Sequence, residues 1–119
     1  MTDALRLLYD AERARLLRLS AQDNGDYMNP VFGEGPLTPH LMLIGEAPGR
    51  EEAAAGHPFV GKAGRQLNEL LELAGIARGD VFVTNAVKFR PIKRGARSVA
   101  NRTPTAKELA AGEELLKSE

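Results

Sequence analysis

Apolar and polar positions along this chain fall into patterns that predict three helices and two strands. From Thr2 to about Leu19 the period is helical: Leu5, Leu8, Leu16 and Leu19 share one arc, and Arg13, Arg15 and Arg18 lie mostly off it. Glu12 lands on the apolar arc, so the stripe carries one acid. Leu41 to Ile44 is a short, continuously apolar run bounded by turn residues, the pattern of a strand covered on both faces. Ala63 to Ala74 is the cleanest helix. Leu67, Leu70, Leu71 and Ala74 follow the i, i+3, i+4, i+7 spacing, and Gly75 is placed to end it in the left-handed conformation. Asp80 then leads into VFVTNAV, a β-branched and aromatic strand. The last helix starts near Thr103-Pro104-Thr105, where Thr105 and Glu108 fit a capping box. It carries Leu109, Leu115 and Leu116, with Gly112 in its middle.

Two stretches read as loop. SAQDNGDYMNPVFGEGP is rich in Asn-Gly, Asn-Pro and further turn residues, and residues 88–102, KFRPIKRGARSVANR, form a basic segment. The order helix, strand, helix, strand, helix argues for parallel strands joined by a right-handed crossover. The expected class is α/β, the front half of a doubly wound sheet with about two strands and three helices in this chain.

Length and composition narrow the picture. A chain of 119 residues suffices for one domain and not for two. Residues 1–30 read as a helix and loop ahead of a core at 31–119. Charged residues make up 27% and balance to zero, so only a local patch could point to nucleic acid. An apolar content of 43% is that of a globular protein. The absence of cysteine excludes disulfides, thiol chemistry and thiolate-held clusters from these residues. No long apolar run could span a bilayer, and MTDALRLLYD carries acids where a signal peptide is basic; a cytoplasmic protein is expected.

The densest chemistry lies in GEAPGREEAAAGHPFVGKAG, Gly45 to Gly64, which follows the first strand directly. In an open parallel sheet ligands bind beyond the carboxyl ends of the strands, so this loop and the one after Thr84 must lie near each other. Glycines and acids of this kind can be plain turn formers facing solvent. A phosphate cradle fits poorly, because the string matches neither nucleotide-binding glycine motif and its acids would repel phosphate.

The full string is more specific. GEAPG, two residues, an acid, then G-x-PFVG-x-AG resembles the first active-site motif of the uracil-DNA glycosylase superfamily in its family-4 form. VFVTNAVKFRP resembles that family's strand ending in TN-x-VK-x-RP, and the segments at Asn101–Pro104 and Val31–Pro36 resemble two more of its signatures, in the family's order. The resemblance covers about Val31 to Leu116. It implies a three-layer α/β fold with a parallel sheet, and hydrolysis of the N-glycosidic bond of uracil in DNA. It also implies residue roles. Phe59 would stack on the extruded uracil, and Asn85 would read the base edge with one donor and one acceptor. Glu46 or Glu52 would position water and stabilise positive charge on the sugar; sequence does not choose between them. Backbone at Glu46 and Ala47 would contact a uracil carbonyl. Gly61, Lys62, Ala63 and Gly64 would bring the chain and a helix N-terminus close to DNA phosphates. Lys88, Arg90, Lys93, Arg94, Arg97 and Arg102 would form a phosphate-contacting arm whose grip weakens with salt.

Three departures from the family pattern bear on function. Family 4 holds an iron–sulfur cluster on four cysteines, one at the position of Phe89 and one near Gly112; without them no cluster, and no metal, is expected here. A basic insertion, IKRGARSVA, is similar to that of uracil-crosslinking relatives, but Asn101 stands at the position of their reactive histidine, so covalent capture is not expected. The superfamily's second motif, with its anion-stabilising histidine, would be expected at positions past Glu119 and has no counterpart among these residues, whose only histidines are His40 and His57. Two further readings therefore stand beside the enzyme: a uracil- or DNA-binding homologue without turnover, and a shortened remnant that pairs its open sheet edge with another copy.

Overall fold

The computed structural model describes residues 3–22, 24–95 and 98–119. Helix α1 spans Asp3–Arg18, followed by β1 (Gly25–Asp26), β2 (Leu41–Gly45), α2 (Arg50–Ala55) and α3 (Lys62–Leu73). Strand β3 (Val81–Asn85), β4 (Arg90–Arg94), β5 (Val99–Asn101) and α4 (Ala106–Ser118) complete the chain. The class is α/β.

β2 and β3 form the expected parallel pair, in register from Leu41↔Val81 to Gly45↔Asn85. Their pairing continues past the strand ends, because the Ala86 and Val87 amides donate to the Gly45 and Glu46 carbonyls at 2.9 and 3.0 Å. The two loops therefore leave the sheet side by side. The inner strand is β3, buried at all five positions. Its Val81 and Val83 pack with Leu71 of α3 and the half-buried Leu43 and Leu67. On its other side Thr84 is fully buried and bonded to Glu119, just past α4. The second edge of β3 is held by Glu34, whose backbone exchanges two hydrogen bonds with Val83.

β2 departs from the expectation of a strand covered on both faces. Leu41 is 36% and Ile44 54% exposed, because β2 pairs with β3 alone among the described residues and lies at an edge. The helices also shift their expected stripes. α1 buries Leu5, Tyr9 and Leu16, not Leu8, since its core partners Leu115, Phe32, Tyr27 and Phe89 meet the arc centred on Tyr9. Glu12 stays on that side by pairing with Arg15. α3 buries Leu71 and half-buries Leu67, while Leu70 is exposed. Gly75 does take the left-handed conformation (φ 72°), and Thr105 and Glu108 do form their reciprocal capping box.

The basic segment at 88–102 is not a loop. β4 and β5 form an antiparallel hairpin, and β1 adds to the other edge of β4. Ile92 turns inward and is buried while its neighbours Lys93 and Arg94 stay exposed. Beneath the hairpin the Phe89 ring packs on Tyr27 at 4.7 Å between centroids, with Leu16 and Val87 around them.

Candidate active site

Three groups converge where β2 and β3 end. Gly45 faces Asn85 across the parallel pair, and a Cβ built on Gly45 would stand 2.3 Å from Asn85 Oδ1 and 2.8 Å from Phe59 Cζ. No side chain fits there, so glycine lets the amide of Asn85 and the ring of Phe59 approach one point. Phe59 rests against the Leu71–Val81–Val83 cluster and reaches Gly45 with its tip. Asn85 is 5% exposed at the end of the fully buried strand β3.

The loop holds Phe59 at some energetic cost. Its φ of 53° is the only positive value at a non-glycine among the described residues. A left-handed residue of this kind costs about 1–3 kcal/mol and persists only where its surroundings over-determine it. Gly64, in the first turn of α3, supplies one such constraint. Its Cα lies so close to the Phe59 carbonyl that a Cβ would come within 1.9 Å of the oxygen.

The two carboxylates differ in what they touch. Glu52 accepts hydrogen bonds from the Gly49, Val60 and Gly61 amides at 3.0, 3.1 and 2.8 Å. Burial pushes its pKa up, but those amides outweigh it and hold the carboxyl below the ordinary carboxylate range. Both its oxygens thus staple the start of α2 to the start of α3. Helix α2 itself was not expected, although REEAAA is a helix-favouring string once Glu52 caps it. Glu46 is exposed and accepts no hydrogen bond from the described residues, while its carbonyl is tied to Val87. Ala47 leans toward the Leu16–Tyr27–Val87–Phe89 cluster. His57 lies on the surface with Nδ1 2.7 Å from Glu34 Oε2.

Residues 32–119 match the family model of the uracil DNA glycosylase superfamily. The chain belongs to this superfamily. A type-4 uracil-DNA glycosylase of Pyrobaculum aerophilum is 49% identical over 83 residues, which are 70% of this chain and 39% of that protein. One of Thermotoga maritima is also 49% identical over 83 residues, 70% of this chain and 40% of that protein. One of Archaeoglobus fulgidus is 43% identical over 81 residues, 68% of this chain and 37% of that protein. The chain thus spans well under half the length of these curated relatives.

In this superfamily member the expected basic arm divides in two. Lys93 and Arg94 are exposed on β4, and Arg90 is half-buried with Nε 2.6 Å from Asn101 Oδ1. Lys62 is exposed in the first turn of α3, beside the N-cap Gly61. Arg97 lies outside the described residues. Lys88 does not belong to the arm. It is 2% exposed, donates to the Asn85 carbonyl at 2.5 Å and to Thr84 Oγ1 at 2.7 Å, and pairs with Glu119. Burial lowers its pKa, and Glu119 opposes that shift. Arg102 is a correction too. Its guanidinium is engaged by both Glu108 oxygens, at 2.6 and 2.9 Å, and by the Asn24 and Ile92 carbonyls at 2.8 and 3.2 Å. It clasps the N-terminal arm to α4 and has no face left for a phosphate.

Sequence reasoning missed the Lys88 network. Thr84 and Lys88 are four residues apart and carry a faint local signal, but Glu119 comes from far along the chain, and its carboxylate also receives the Tyr9 hydroxyl. The effect is to fix the backbone carbonyl of Asn85 from below.

Proposed function

We propose that this protein is a DNA repair glycosylase that hydrolyses the N-glycosidic bond of uracil in DNA. The observation that carries the reading is the convergence of Phe59 and Asn85 on Gly45. An extruded uracil stacks on the Phe59 ring, and the Asn85 amide donates to O4 and accepts from N3–H. The C1′–N1 bond breaks with its electron pair moving onto the base, which leaves as the uracil anion. Water adds to C1′ and passes its proton to a carboxylate beside it. Developing positive charge on the sugar favours a carboxylate nearby. Glu46 suits that role because its carboxylate is unspent, whereas Glu52 is committed to three amides and acts on the loop's shape. Backbone at Glu46 and Ala47 lies at the mouth of the site and meets the base carbonyl.

DNA runs past the exposed Lys62 at the start of α3 and past Arg90, Lys93 and Arg94 of the hairpin; Arg97 belongs with them by sequence. Gly61 and Gly64, expected at the phosphates, are buried against the Glu51 and Glu52 side chains and the Phe59 carbonyl, and serve the loop's own packing. The three-layer fold with a larger parallel sheet is part of the same reading, supported by α3 on one side of β3 and Glu119 on the other. So is a fold without an iron–sulfur cluster in this segment. The residues present do not fit one: Phe89 carries no thiolate, and its ring is packed on Tyr27 in an apolar cluster.

The test is excision from a labelled oligonucleotide, with alkali cleavage reporting each abasic product. Product from a uracil-containing strand and none from its thymine counterpart supports the reading. A folded protein that binds uracil-containing DNA without product is instead a binding homologue.

A further inference from the structure

Residues 58–61 are gripped from two sides by opposite charges. Glu52 takes the amides of Val60 and Gly61. Arg78, in the short turn leading into β3, takes the carbonyls: it donates to Pro58 O at 2.9 Å and to Phe59 O at 3.0 Å. The same guanidinium donates to Asn68 Oδ1 of α3 at 2.7 Å, which sets its plane. Between the two grips sits the only left-handed non-glycine residue of the described chain, Phe59.

We propose that Arg78 is a positioning residue for the base-stacking ring: its fork holds two successive carbonyls and so keeps Phe59 in the left-handed conformation that aims the ring at Gly45 and Asn85. This rests on the reading of Phe59 as the stacking platform. A left-handed residue turns its carbonyl away from the direction a β or right-handed residue would give it, and the strain is relieved by relaxing that peptide. Arg78 blocks the relaxation because both carbonyls would lose a charged donor at once. Lysine cannot substitute, since a single ammonium does not reproduce a planar fork that bridges two carbonyls and an amide. Arg78 acts through Phe59.

Arg78→Lys and Arg78→Ala test this in the full chain, each alone and combined with Phe59→Ala. Base–aromatic stacking is worth roughly 5- to 150-fold in affinity. The expected result is that Arg78→Lys keeps the native fold but loses at least about fivefold in preference for uracil-containing over thymine-containing DNA. In the Phe59→Ala background the same change should cost less than about twofold, because the ring it positions is gone. Equal losses with and without the ring overturn the proposal. If Arg78→Lys does not fold, Asn68→Ala, which frees the guanidinium plane, is read the same way. A crystal structure of the variant separates this proposal from the functional reading it rests on: Phe59 still left-handed overturns the clamp whatever DNA does. Phe59 relaxed, in a protein whose parent ignores uracil, upholds the clamp and removes the stacking role.

Discussion

Gly45 and Asn85 stand opposite each other at the ends of two parallel strands, so close that a single methyl group on Gly45 would overlap the Asn85 amide oxygen. The Asn85 amide is thus positioned by what its neighbour lacks. Gly45→Ala should leave the sheet paired, because its backbone hydrogen bonds do not involve Cβ. It should turn Asn85 and push the Phe59 tip away. Misplacing a substrate-positioning group by an ångström costs roughly 100-fold. Single-turnover excision by Gly45→Ala is therefore expected to fall by about that factor, with circular dichroism unchanged.

The Lys88–Glu119 pair holds the backbone carbonyl of the same Asn85, with both side chains almost completely buried. Removing one partner of a buried pair leaves an uncompensated charge and costs about 3–5 kcal/mol. Lys88→Met should show that loss in urea denaturation, and Lys88→Met/Glu119→Leu should recover part of it. A neutral single variant would contradict the account.

Basic residues of the hairpin region should separate by behaviour. Lys93 is exposed, so Lys93→Ala should lower the slope of log affinity for DNA against log salt by about one. Arg102 is spent on Glu108 and backbone carbonyls. Arg102→Ala should leave that slope unchanged and reduce thermal stability instead. Filter binding from low to moderate salt, beside melting curves, distinguishes the two.

Much of this was legible in the sequence, and the gaps have physical causes. The parallel pair, the left-handed Gly75 and the Thr105–Glu108 box follow from local chemistry, and the structure keeps all three. Phe59 and Asn85 were marked by the family resemblance and do meet at Gly45. The hairpin was hidden because Pro91 and Gly95 read as breakers, although Pro91 faces Gly25 across a strand pair and Gly95 lies at the turn. Lys88 looked like one more cation in a basic run, because a buried partner 31 residues away leaves no local pattern. Leu8 and Leu70 show the limit of periodicity: it finds the apolar arc, but which part is covered depends on the neighbouring elements.

Two carboxylates set an acid limit. Arg102 holds Glu108 below the usual carboxylate range against the effect of burial, and backbone amides do the same for Glu52. A carboxylate depressed in the folded state adds stability that is complete above its unfolded pKa, near 4.5, and is lost as pH falls through the lower folded value. Melting temperature should therefore be level near neutrality with respect to these groups and decline below about pH 4.5. Glu108→Gln should start lower and decline less steeply over that range, as a melting series from pH 7 to pH 3 would show.

The most direct test of the pocket is single-turnover excision of uracil by the parent chain and by Asn85→Ala, both confirmed folded. The account predicts abasic product with the parent and a loss of at least about 100-fold in rate with Asn85→Ala, since the side chain proposed to read the base edge is gone. Equal rates for the two proteins would contradict it, because uracil would then be recognised somewhere other than between Phe59 and Asn85.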